Sequence, residues 1–344
     1  MKRIILVATL AYSFTGLAQS LTQANEPAIG EMQDMYLCDS FANTYVGTTG
    51  AGVTWNYSTL EKYNGVMRTV TIEDATTTPN AMSFPTSTKT IKVENSLTTY
   101  FNSTSTERVS QGFVFNEPSF GELVAVFDTD EEKLVEYPFA NGSSLSDDYA
   151  GTLYFEFNGL PMNPAAAGSC QAWIDGQGTL LLPDGSTVLN AIRYKMIDTS
   201  TTNIQLFGDL EIVRTQYEYY DIANANLPVL TLSRLLIQQP GGGLPLADNS
   251  IVLSKVNPTN SVGLFSNELI TFETYPNPTS GLVTLKGEFD ANATAAVFDQ
   301  SGRMLFTKEA INGTSIDLSK YNTGMYLLKV TSNGVSGTKM IVKQ

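Results

Sequence analysis

Histidine is absent from this chain of 344 residues. Ser-His-Asp and Cys-His catalysis, His-ligated zinc and imidazole acid-base chemistry are thereby excluded. Charged residues make up 16% of the sequence, against about a quarter in an ordinary globular chain. No apolar run beyond the first twenty residues is long enough for a membrane-spanning helix: Leu227 to Ile237 comes nearest, and Arg234 interrupts it. A Gly-x-Ser-x-Gly elbow is missing, and Gly241-Gly242-Gly243 lacks the Lys-Ser/Thr that would make it a phosphate loop. Cysteine occurs twice, as Cys38 and Cys170, which with no histidine leaves a tetrahedral metal shell half empty.

What the sequence has instead is β-branched and apolar. Threonine occurs 40 times and hydrophobic residues form 42% of the chain, a bias toward pleated, half-buried surface. Helical periodicity is nowhere sustained, so the expected class is all-β. Met1-Lys2-Arg3, the apolar stretch to Leu17 and the small residues around Ala18 read as a secretory signal peptide over 1–18, cut before Gln19. In an exported chain Cys38 and Cys170 are expected to bridge, which would stabilise the fold by about 4 to 5 kcal/mol; the other outcome is two unpaired buried thiols.

The charge is unevenly placed. Residues 19–265 carry 11 basic and 27 acidic side chains, a net −16, whereas residues 266–344 carry seven of each. Such a field disfavours nucleic acid and anionic membranes as partners. The loop Gln239 to Pro245 and the stretch Asn257-Pro258-Thr259-Asn260 mark a division: an acidic unit over 19–255, a linker over 256–269 and a second unit over 270–344.

In the acidic unit, Leu180-Leu181-Leu182, then Pro183-Asp184-Gly185, then Val188 to Tyr194 predict a hairpin, with Gly176 and Gly178 relieving backbone crowding before it. Glu122 to Phe127 and Lys133 to Tyr137 flank an acidic tip, and Leu153, Phe155 and Phe157 alternate with Tyr154 and Glu156. Many short strands over about 230 residues predict a large β-sandwich of jelly-roll type. From Ile270 onward about seven short runs alternate with Asn/Gly turns, which predicts a small Ig-like β-sandwich.

That C-terminal unit carries a resemblance. Tyr275-Pro276-Asn277-Pro278-Thr279-Ser280-Gly281, Val297-Phe298-Asp299 with Gly302-Arg303, Gly324-Met325-Tyr326-Leu327-Leu328-Lys329-Val330 and the closing Lys339-Met340-Ile341-Val342-Lys343 resemble, in order and spacing, the C-terminal sorting domain of type IX secretion substrates. The resemblance implies transit through the periplasm in folded form, recognition by the secretion machinery at the outer membrane, delivery outside the cell or to its surface, and often removal of the domain. Its motif residues would be Tyr275 to Gly281, Asp299, Gly302, Gly324, Tyr326 and Lys339. In the acidic unit, Gly52 to Ser58, Gly176 to Lys195 and Tyr217 to Leu230 are similar to segments of uncharacterised secreted Bacteroidetes proteins with the same tail, a likeness that brings no activity with it.

Three candidate chemistries remain for the passenger. Asp128, Asp130 and Glu132 supply oxygen ligands of the kind Ca²⁺ takes, although the run lacks the central glycine of an EF-hand loop, and a solvated hairpin tip accounts for it as well. Paired carboxylates are the one acid-base route without histidine and would suit a glycoside hydrolase. Tyr217, Tyr219 and Tyr220, with Trp55 and Trp173, offer flat faces for sugar, and core packing is their ordinary use. The reading that follows is an exported protein whose passenger is non-catalytic, structural or adhesive, with a carbohydrate-binding or carbohydrate-cleaving passenger as the alternative.

Overall fold

The computed structural model describes residues 19–39, 47–94, 96–117, 121–157, 160–204, 208–241, 245, 247–261, 272–289, 292–299, 303–332 and 335–344. The signal segment 1–18, Gly302 and most of the linker lie outside them.

The described chain forms 25 strands. The first nine are β1 Ser20–Leu21, β2 Met32–Cys38, β3 Gly50–Asn56, β4 Glu61–Asp74, β5 Lys89–Val93, β6 Leu97–Ser103, β7 Glu107–Glu117, β8 Gly121–Asp130 and β9 Glu132–Glu136. They are followed by β10 Phe139–Ala140, β11 Ser144–Phe157, β12 Leu160–Met162, β13 Ala165–Leu181, β14 Thr187–Ile204, β15 Gly208–Tyr220, β16 Leu230–Gln238, β17 Ala247–Ser254 and β18 Asn260–Ser261. The C-terminal set is β19 Phe272–Tyr275, β20 Leu282–Gly287, β21 Thr294–Phe298, β22 Met304–Glu309, β23 Ser315–Asp317, β24 Gly324–Ser332 and β25 Val335–Lys343.

Twelve strands close on themselves. Around the ring they run β2, β4, β5, β6, β7, β8, β11, β13, β14, β15, β16 and β17, and β17 pairs back onto β2 through Leu253↔Leu37. Every neighbour in this ring is antiparallel, and the spatial order is the chain order. The passenger is therefore an up-and-down barrel, and the expected jelly-roll sandwich is corrected: a jelly roll needs Greek-key crossings between two sheets, and here each barrel strand lies beside the next. Closure leaves no free edge on the ring. The strands are also long, 17 residues in β13 and 18 in β14. Register shifts at Ile174/Gly176 and Gly178/Leu180 break the alternation that would have announced their length.

Alternation fixes which face each residue serves. On β13, Cys170, Ala172 and Ile174 are buried while Gln171 is exposed and Trp173 and Asp175 are half-buried. The buried set joins Ala125, Phe127, Val135, Tyr149, Tyr194 and Tyr220 in the largest core. This face points into the ring, because Arg214 on β15 reaches Glu132 on β9, a strand held by β7 far round the wall. The outer face is covered where β3 runs parallel to the far half of β13 and brings Trp55, Tyr57 and Leu60 onto Tyr219, Leu230 and Val252, and again where Ala75 and Phe84 pack on Val114, Val124 and Val126.

The turn at Pro183-Asp184-Gly185 joins β13 to β14 as the sequence predicts. Gly185 takes a φ of 86°, Leu182 N donates to Ser186 O at 2.9 Å, and the Asp184 carboxylate accepts from Ser186 N at 2.8 Å. The C-terminal strands make a three-stranded sheet, β19-β20-β23, and a four-stranded one, β22-β21-β24-β25. These enclose their own core, with Val283, Leu285, Val297, Leu328 and Ile341 fully buried. A separate small cluster joins this unit to the barrel: Met325 and Val342 pack on Ile204 and Leu210, with Phe155, Met162 and Met340 at its margin.

Candidate functional site

The most completely built constellation among the C-terminal strands is the loop after β19. Asn277 spans two backbone groups of the terminal strand: its Nδ2 donates to Met340 O at 2.6 Å and its Oδ1 accepts from Val342 N at 2.8 Å. Thr279 is buried and continues the clamp, its N donating to Val342 O at 2.8 Å and its O accepting from Gln344 N at 2.9 Å. Its hydroxyl donates to Leu282 O at 2.7 Å and accepts from Gly281 N at 3.0 Å. Gly281 stands at φ 154°, where a Cβ would meet Ser319 Oγ at 2.7 Å. Tyr275 and Leu282 flank the loop with exposed side chains, and the peptide bonds before Pro276 and Pro278 are cis. Ser280 is exposed beside them.

The remaining motif residues shape the same unit. Asp299 holds its turn by accepting from Arg303 N at 3.1 Å and from Arg303 Nε at 3.0 Å. Gly324 starts β24 at φ 148°. The Tyr326 hydroxyl donates to Asn322 O at 2.6 Å, and Lys339 sits opposite Leu328 in the β24–β25 ladder. The motif at 275–281 and the last strand are thus one hydrogen-bonded assembly. Residues 273–344 match the family of secretion-system C-terminal sorting domains. The sorting domain gives this chain its export route, the type IX system, and its partner, that system's machinery. No curated protein matches the chain. Among the described residues no helix is long and apolar enough to cross a membrane.

In the passenger the structure separates most of what the sequence groups together. Asp128 and Asp130 are exposed, while Glu132 turns inward and is 1% exposed. The calcium trio is therefore not assembled, and among the described residues no group of three or more acidic or cysteine side chains could hold a metal. Cys38 and Cys170 are free buried thiols, which corrects the expected bridge. Cys38 packs in the outer cluster with Trp55, and Cys170 in the inner core, so the barrel wall stands between them. Burial pushes the Cys38 thiol up to about 12.

Tyr219 and Tyr220, expected as sugar contacts, are 0% and 5% exposed. At this end of β15 both faces are covered, one by the barrel core and one by β3. Tyr219 belongs instead to a box around Arg193. That guanidinium grips Asp175 at both oxygens, Nε–Oδ1 2.6 Å and Nη2–Oδ2 3.0 Å, and donates to the Tyr219 hydroxyl at 3.2 Å. It lies 5.1 Å from the Trp55 ring, 5.3 Å from Tyr217 and 5.8 Å from Tyr219. Such a caged, paired cation stabilises the β3 layer and offers nothing to solvent.

Inside the barrel, Arg214 Nη2 lies 3.3 Å from Glu132 and 3.2 Å from Asp198. Tyr149 donates its hydroxyl to the other Asp198 oxygen. Two carboxylates thus share one guanidinium on the inner face of the barrel. Burial and the Asp198 charge push Glu132 up to about 8, against the opposing pull of Arg214. Nothing in the sequence signals this trio, because Glu132 lies 82 residues before Arg214 and reaches the β14–β15 pair of Asp198 and Arg214 only across the ring. A second interior pair, Arg108 with Glu26 at 2.6 Å and joined by the Tyr137 hydroxyl, ties the N-terminal segment to β7.

Proposed function

We propose that residues 270–344 are an export label separated by a linker over 256–269 from a passenger barrel over 19–255, and that the mature passenger acts by binding, in a structural or adhesive role, outside the cell or on its surface after transit through the periplasm. The observation that carries the reading is the clamp of Asn277 and Thr279 on the terminal strand, within a unit that has its own core. A signal that must be recognised on a folded protein needs such a self-contained shape. The carboxylates that the barrel gathers, Glu132 and Asp198, are spent on Arg214 in the interior, which favours binding over hydrolysis by a carboxylate pair.

Deleting 270–344 tests the reading. A folded barrel by circular dichroism, retained in the periplasmic fraction, is the expected result; undiminished surface delivery of the truncated chain overturns it.

A carbohydrate-binding passenger is the second reading, and one observation favours it. Trp173 and Tyr217 are half-buried rings on the outer wall, set on either side of Lys195.

A further inference from the structure

We infer that the outer wall of the barrel carries a binding site for a glycan bearing an isolated carboxylate, such as a single uronate on an otherwise neutral oligosaccharide, with Lys195, held between Trp173 and Tyr217, as its anion contact and Trp173 as its stacking face. The inference deepens the carbohydrate-binding reading and rests on it.

The strand register builds the site. Ser144, Trp173, Lys195, Tyr217 and Leu232 are direct partners across β11, β13, β14, β15 and β16, so their side chains share one face. Along this row exposure falls from open Ser144 through the half-buried middle three to buried Leu232. Trp173 and Tyr217 are two strands apart, about 10 Å at the usual strand spacing, with the lysine between them. The Lys195 ammonium is 5.0 Å from the Trp173 ring centre and 5.9 Å from that of Tyr217. These contacts hold the side chain without neutralising it, since a ring face contributes no net charge.

Lys195 has no counter-ion among the described residues, and the two rings beside it distinguish it from Lys89 and Lys255, which have none either. Its neighbour Arg193, on the same face, is matched by Asp175, and Arg234 by Asp248. Among the described residues no carboxylate lies within ion-pair distance of Lys195, in a unit where acidic residues outnumber basic ones by 16. An aromatic ring against which a sugar face can lie, with a fixed cation beside it, is complementary to a pyranose with a carboxylate. Exposed Ser146 and Gln171 and half-buried Thr215, in the adjacent row on the same face, supply hydroxyl and amide partners for sugar hydroxyls. The surrounding −16 field repels a polyanion, so the site selects one carboxylate in a neutral context over a fully charged chain.

The test is calorimetry on the full chain with three probes: a neutral xylo-oligosaccharide, the same oligosaccharide bearing one glucuronate, and an oligogalacturonate of equal length. The singly charged probe is expected to bind tightest. Lys195→Gln should weaken it about tenfold or more, the worth of a charge-assisted contact, and leave the neutral probe unchanged, while Lys195→Arg restores most of the affinity. Trp173→Phe, which keeps a ring in place, should weaken both probes modestly. Equal binding of neutral and charged probes, or indifference to Lys195→Gln, overturns the acidic-sugar assignment and leaves carbohydrate binding standing. Failure of all three probes to bind overturns both.

Discussion

At the scale of single residues, Glu132 is the group whose surroundings most alter its chemistry. It faces Asp198 and Arg214 from β14 and β15, Cys170 from β13 and Ser110 from β7. Its carboxyl is raised from the usual 4.5 to about 8. A raised pKa in the folded state means that the unfolded chain gives up this proton at lower pH. The contribution to stability is therefore complete below about 4.5, declines as pH rises and is gone above about 8. Denaturant titrations at several pH values should show wild type losing stability relative to Glu132→Gln across that window, with the two curves parallel outside it. Parallel curves throughout would remove the buried proton from the account.

Asn277 makes the corresponding prediction for the sorting domain. Asn277→Ala leaves Met340 O and Val342 N without their side-chain partners, at a cost of about 1–3 kcal/mol. The unfolding midpoint of the C-terminal unit should fall and that of the barrel should stay. Asn277 was legible only as a member of its motif, not as a clamp on the last strand, and the Glu132 trio was not legible at all, because a period-two pattern tells which face a residue serves and not which residue waits across the ring. The same limit explains Tyr219. Its parity with Tyr217 was readable, but the β3 strand that covers it comes from more than 160 residues earlier.

At the scale of elements, the junction of β3 with β13 depends on two glycines. A Cβ on Gly178 would stand 1.9 Å from Val53 O, and one on Gly176 would stand 2.5 Å from the Trp55 ring. Gly178→Ala should push β3 off its partner, destabilise the barrel by about 1–3 kcal/mol and red-shift the tryptophan emission as Trp55 meets water. An unchanged spectrum and midpoint would mean that β3 contributes little. Crowding at these glycines could be read from the sequence, as could the turn at 183–185, because both are local. The length of β13 and β14 could not: their bulges at Gly176 and Gly178 look like strand ends when only neighbours along the chain are visible.

At the scale of the whole molecule, an all-β chain was readable, and the closed barrel was not. Closure is decided by one pairing, β17 on β2, between segments more than 200 residues apart, and no local pattern distinguishes a meander that closes from one that folds into facing sheets. The export label was legible because its motif and the strand it clamps are both within the last 70 residues, in fixed order.

The contact of Met325 and Val342 with Ile204 and Leu210 gives the two units a shared fate. While they remain joined, each hides a greasy spot on the other. Severing the linker would leave the barrel with a newly wetted oily end, so a trimmed passenger should be stickier than its precursor, and its first associations outside the cell would be made through the footprint its own label leaves behind.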